Sequence, residues 1–174
     1  LYQLFRQQQT ALGGEVRPED KAELRRRLDA LNDELDRYLA KQYGVDPDLP
    51  MDMHAWRTSH QPFHWFVEFY GVLKEGGFDV IIGNPPYVEY RKIKREYKVF
   101  GYETESCGNL YAFVVERSFN LLQKQGRKGM IIPHSAICTD RMEPLITLFN
   151  HRTSDVWFST YAIRPAKLFV GVDQ

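Results

Sequence analysis

The chain has 174 residues, with 23 basic and 23 acidic side chains, 43% hydrophobic and 14% aromatic residues, a globular composition with room for one domain or slightly more. Disordered, collagenous and coiled-coil classes are excluded, and the longest uncharged apolar runs fall far short of the roughly 18 residues of a membrane span. No basic segment leads into an apolar one as in a secretory signal, and Cys107 and Cys138 form neither a CxxC pair nor a disulfide framework, so a cytoplasmic location is expected.

In chain order, a Gln-rich start passes through Gly13-Gly14 to Pro18. Leu24, Leu28, Leu31, Leu35, Tyr38 and Gln42 then recur at alternating spacings of four and three, which predicts a helix with an apolar seam from Glu19 to a stop at Gly44. Pro18 suits its first turn, and Glu19 and Asp20 suit the positive end of its dipole. Residues 44 to 57 hold two prolines and read as a linker. Thr58 and Ser59 are candidate caps for a second helix carrying Phe63, Phe66, Val67, Tyr70 and Leu73, which Gly76-Gly77 would end.

Phe78 to Ile82 (FDVII) is a short apolar run between turn residues, as expected of a strand buried on both faces. Asn109 to Gln123 reads as a helix with Tyr111, Val115, Phe119 and Leu122 on one side, and Lys128 to Pro133 as a second buried strand. Cys138 to Asn150 reads as a weaker helix interrupted by Pro144, and Asp155 to Tyr161 as a third strand. Strands alternating with helices predict an α/β domain with a largely parallel sheet, whose ligand site lies beyond the carboxyl ends of its strands.

The first strand ends in Gly83-Asn84-Pro85-Pro86-Tyr87, and Asn-Pro-Pro-Tyr arises by chance at roughly one position in a few hundred thousand. Two prolines make the backbone rigid and extended. The Asn84 side-chain oxygen and the Pro85 carbonyl then form a fixed pair of acceptors for a planar amino group, and Tyr87 offers a ring face for stacking. The lone pair of a heterocyclic amino group is delocalised into its ring. Two acceptors out of the ring plane favour a tetrahedral nitrogen and turn that lone pair toward an electrophile, which is catalysis by preorganised polar geometry.

The stretch Phe78 to Tyr87 (FDVIIGNPPY) closely resembles motif IV of the DNA adenine-N6 methyltransferases. Its flanks, Trp56 to Tyr70 and Asn109 to Ser135, resemble large type IIG restriction-modification and phage-defence polypeptides, and the likeness covers roughly residues 19 to 174. The resemblance implies part of a Rossmann-like, S-adenosylmethionine-dependent methyltransferase sheet behind an N-terminal helical segment, acting on a flipped adenine in double-stranded DNA. Divided on that basis, residues 1–57 are the helical segment and linker, and residues 58–174 the C-terminal half of the catalytic domain. The resemblance further implies that Asn84 and Pro85 hold the adenine amino group, that Tyr87 stacks on the base beside Pro86, and that Asp79 touches the cofactor. Arg164 to Val172 looks like the later motif that supplies a second aromatic, with Phe169 the best match. Two stacked aromatics, at about 1 to 3 kcal/mol each, would offset most of the few kcal/mol needed to extrude a base.

The family's glycine-rich cofactor turn has no match here. Together with the start on Leu1 and the end at Gln174, this leads us to expect an internal fragment, inactive alone, with the main cofactor elements before it and a target-recognition domain after it. A nuclease is a further domain that such a parent polypeptide could carry.

Zero net charge argues against nucleic acid, but Arg91, Lys92, Lys94, Arg95 and Lys98 crowd one segment just past the motif and read as phosphate contacts or as a solvated face. The seam of the first helix reads as internal packing rather than a partner-binding coiled coil. His60 and His64 are spaced i, i+4 without the HExxH glutamate, so no metal site is expected. Neither cysteine follows a proline, as a cytosine-C5 methyltransferase nucleophile would. Alternatives are an amino methyltransferase of RNA or of a protein glutamine, whose planar nitrogens the same acceptors could grip, and a non-enzymatic fragment that contacts DNA.

Overall fold

A computed structural model describes residues 18–161. Phe169, with the rest of the Arg164–Val172 stretch, and the Gly13-Gly14 pair lie outside them. The chain divides into two compact units, Leu1–Gly76 and Gly77–Gln174.

In the first unit α1 spans Pro18–Gln42 with Glu19 and Asp20 in its first turn, as the spacing predicts, and Gly44 follows in the left-handed region at φ 77°. The seam is only partly covered: Leu24 is buried, whereas Tyr38 is 67% exposed. The expected linker is instead helical from its second proline, because α2 (Pro50–His60) begins on Pro50, whose missing N–H costs nothing in a first turn. Thr58 and Ser59 therefore cap nothing. Their hydroxyls donate back to the His54 and Ala55 carbonyls inside the last turn of α2.

The expected second helix is broken in two, α3 (Trp65–Glu68) and α4 (Tyr70–Lys74). Gln61 closes α2 in the left-handed region and donates to the Arg57 carbonyl. Pro62, next in the chain, is incompatible with a helical predecessor. Ala40, Met53 and Trp56 form a small core, backed by Leu39, Tyr43 and Val45. Arg57 binds Asp33 and Asp36 of α1, and His64 Nε2 lies 2.8 Å from Asp36 Oδ1. His60 packs between Tyr43 and Trp56, so the two histidines serve different neighbours.

The second unit carries β1 (Phe78–Gly83), α5 (Tyr90–Ile93), α6 (Leu110–Leu121), β2 (Leu122–Met130) and α7 (Glu143–Arg152). Among the described residues the sheet is two parallel strands. Val80 to Gly83 pair with Arg127 to Met130, while Phe78 pairs with Leu122, leaving residues 123–126 bulged opposite Asp79. Gly126 permits that bulge, since a Cβ there would lie 2.9 Å from the Phe78 carbonyl oxygen. The second strand thus starts six residues before the expected Lys128 and ends at Met130. The ladder stops where it does because Pro85 and Pro86 have no N–H to continue it.

Three further expectations are corrected. Burial of β1 on both faces fails among the described residues, with Val80 58% and Ile82 79% exposed. Pro144 does not interrupt a helix but sits in the first turn of α7. Asp155 to Tyr161 form no strand: Phe158 instead packs edge-on against Phe149 of α7, with ring centroids 5.7 Å apart.

The core of this unit lies between α6, α7 and the turns before them, with Tyr111, Ala112, Val115 and Phe119 of α6 against Met142, Leu145, Leu148 and Phe149. Among the described residues no helix is long and apolar enough to cross a membrane, and no group of three or more His, Cys, Asp or Glu could hold a metal ion.

Candidate active site

The site grows from the end of β1. The Gly83 carbonyl accepts from the Ile131 N–H at 3.0 Å, the last rung between the two paired segments. Beyond it Asn84 is exposed, Pro85 buried, Pro86 exposed and Tyr87 half-buried. The first proline is thus anchored while the asparagine projects outward.

The Tyr87 hydroxyl lies 2.9 Å from Asn84 Oδ1 and 3.1 Å from the Ile131 carbonyl oxygen. A phenol has one proton to donate, so the two acceptors share it. Burial pushes the Tyr87 phenol above its ordinary value, which keeps it a donor. The Asn84 oxygen has two lone pairs, and this bond uses one. The Tyr87 ring meets the buried Tyr111 edge-on at 6.2 Å and 90°, a favourable quadrupole arrangement. Tyr111 in turn points its hydroxyl at Met142 Sδ, 3.3 Å away.

The chain leaving Tyr87 is clamped to the start of α6. Tyr90 N–H donates to the Gly108 carbonyl and Leu110 N–H to the Val88 carbonyl, each at 2.9 Å, forming an antiparallel bridge at Glu89 and Asn109. Gly108 has φ 64°, and a Cβ there would collide with the Arg141 guanidinium at 2.0 Å. A side chain at this position would therefore displace Arg141 as well as strain the backbone.

Arg91, Lys92, Lys94, Arg95 and Lys98 follow on α5 and its extension, all exposed. Arg91 pairs with Glu89, and this guanidinium, with Lys92 and Arg141 nearby, holds the Glu89 carboxyl below its ordinary range. The segment is pinned at both ends. Tyr90 packs edge-on against Phe113 at 5.4 Å and accepts the Val99 N–H at 3.0 Å.

Further along, the buried Glu116 carboxylate accepts from Glu103 N–H, Thr104 N–H and the Thr104 hydroxyl at 3.0, 2.9 and 2.7 Å. Sequence reasoning missed Glu116, although a lone acid beside Ala112 and Phe119 on an apolar helix face was the available signal. Replacing it by Gln puts an amide N–H₂ against donors and should cost about 1 to 3 kcal/mol, read as faster hydrogen exchange at residues 101–107 in the full-length protein. Unchanged exchange there would show that the loop is held by other contacts.

The expected residues are thus only partly gathered. Asn84, Pro85, Pro86 and Tyr87 are consecutive in one loop, with Arg91, Lys92 and Lys94 on the helix after it. Asp79 is exposed on β1, where the Gln123 side-chain amide donates to it. Gly76 and Gly77, at φ 111° and 118°, lead into β1 rather than opening a helix. Tyr111 and the Ile131 carbonyl join the site only through the fold.

The family model of the Eco57I restriction-modification methylase matches residues 17–159 of this chain. The chain is also 40% identical over 75 residues to a Methanocaldococcus jannaschii protein named "Putative type II restriction enzyme and methyltransferase". That match covers 43% of this chain and 6% of the relative's own length. No solved structure matches.

Proposed function

Because this chain belongs to the Eco57I restriction-modification methylase family, a family of methyltransferases, we propose that it is the catalytic-loop part of a site-specific DNA methyltransferase that methylates adenine N6 in a flipped base. S-adenosylmethionine supplies the methyl group when bound. The activity proposed is that of a longer polypeptide, a reading supported by a match that covers only 6% of the relative's length, and residues 58–174 would form the C-terminal half of its catalytic domain. Its place is the cytoplasm, where its DNA substrate is.

One observation carries the reading: Asn84 stands exposed at the carboxyl end of β1, held by its oxygen, with a second lone pair free for a substrate N–H. Asn84 and the Pro85 carbonyl accept from the amino group and orient its nitrogen, while Pro86 and the Tyr87 ring support the base. The proton leaves the nitrogen after methylation, so no strong base is required. Methylation assays of the full-length protein on DNA, RNA and release-factor substrates test the assignment, and modification of only RNA or protein would overturn it.

The basic segment favours DNA over a protein glutamine. Its cations lie within about a dozen residues of Asn84 and point outward, where contacts to phosphate position a duplex without reading it. Neutralising Arg91, Lys92 and Lys94 together should weaken binding on all sequences alike and flatten the slope of log affinity against log salt by about 0.9 for each phosphate no longer neutralised. An unchanged slope in filter-binding titrations would reduce the cluster to a solvated face.

A further inference from the structure

We propose that the Tyr87 hydroxyl is a positioning group for the target amino nitrogen: it ties the Asn84 carboxamide to the Ile131 backbone and so fixes the acceptor that receives the substrate. The inference rests on the proposed role of Asn84 and adds a role for Tyr87 separate from ring stacking.

Asn84 is exposed, and an exposed asparagine turns freely about its side-chain bonds. An acceptor that turns freely must be ordered at the moment of reaction, which preorganisation avoids. The tie is built from distant pieces of chain. Tyr87 stands three residues after Asn84, whereas Ile131 lies 44 residues beyond Tyr87, brought there by the parallel ladder and its last rung at Gly83. The ring cannot drift, because its edge-on neighbour Tyr111 is itself buried in the core. The Tyr87 side chain therefore links the loop that would bind the base to the backbone just past β2 through its hydroxyl and to α6 through its ring. A phenol stays protonated across the neutral range, and burial raises this one further, so the tie persists there.

The test is Tyr87→Phe in the full-length protein, which keeps the aromatic face and removes only the hydroxyl. Single-turnover and steady-state methylation would be measured on a cognate duplex, with 2-aminopurine at the target position reporting extrusion of the base. The expected result is a loss in kcat of about tenfold, typical of one hydrogen bond, with KM for DNA and the 2-aminopurine signal unchanged. A wild-type kcat would overturn the proposal. A raised KM or a lost 2-aminopurine signal with kcat intact would also overturn it, since the hydroxyl would then be acting on the base itself. Asn84→Ala, assayed alongside, separates this from failure of the underlying reading: if that variant stays active, the assignment of Asn84 fails; if it is inactive while Tyr87→Phe is normal, only the tie fails.

Discussion

Asn84→Ala in the full-length protein should lower methyl transfer by about 10²-fold or more, the usual cost of removing one preorganised polar group from a reacting centre, and leave DNA affinity within about twofold. The side chain is exposed, so its loss opens no cavity, and Tyr87 keeps the Ile131 carbonyl as an acceptor. Folding should therefore be spared, and the effect read as chemistry. A hundredfold is about 2.7 kcal/mol of barrier. That is more than a surface hydrogen bond usually contributes, and it distinguishes an acceptor that orients a nitrogen from one that merely closes a turn. Near-wild-type methylation by this variant would remove Asn84 from the mechanism.

The second large effect concerns stability. Lys128 Nζ lies 2.8 Å from the centroid of the Phe119 ring, 5.4 Å from that of Phe149 and 3.5 Å from the Val115 carbonyl oxygen. Two influences oppose each other. Burial disfavours the ammonium and pushes it from 10.5 to about 7, equivalent to about 5 kcal/mol at about 1.4 kcal/mol per tenfold. The ring faces favour the cation by about 2 kcal/mol. Burial is the larger effect, so a charged Lys128 is a net cost to the folded state.

The unfolded chain keeps this proton up to its ordinary value of about 10.4. Above the folded value and up to that one the unfolded state binds more protons, and stability must rise with pH. Below about pH 7 both states are charged and the full cost is present. Lys128→Met should accordingly slow hydrogen exchange of the α6 and β2 amides at pH 6 to 7 by an amount equivalent to about 2 to 3 kcal/mol. The advantage should shrink toward pH 10. If the variant and the wild type differ equally at both ends of that range, Lys128 is not a titrating burden on the fold.

The site loop was legible because its chemistry is local. The strand before Asn84 to Tyr87 is local in the chain, and the two prolines fix the loop's backbone whatever surrounds it. The first helix was legible for a similar reason, since its alternating three- and four-residue spacing and Pro18 act within a turn or two. Helix ends decided by a proline were misread when the proline's role depended on its neighbours. Pro50 and Pro144 look like breaks in a linear pattern, yet each occupies a first turn where its missing N–H is harmless. Pro62, with Gln61 left-handed before it, divides what apolar spacing presents as one helix.

Other features had no linear signature. The hydroxyl of Tyr87 reaches Ile131 only because Val80 to Gly83 pair with Arg127 to Met130, and that register depends on a bulge at residues 123–126 that Gly126 alone hints at. Asp155 to Tyr161 has strand-like composition, but pairing requires a free edge within reach, and Phe158 is held on α7 instead. Nothing in the linear pattern marked Lys128, read as the start of a buried strand, as a cation lying against two aromatic rings.

By itself, then, the amino-acid sequence determined the proline-stiffened loop after the first strand, the first helix and the basic segment beyond the loop, because proline geometry, helical spacing and charge act over a few residues. Only the tertiary structure decided that Asn84 is tied through Tyr87 to the backbone just past the neighbouring strand, that Glu116 is buried and Lys128 half-buried against aromatic rings, and that Val80 and Ile82 are exposed. Those outcomes depend on strand register and packing, which are set by contacts between residues far apart in the chain.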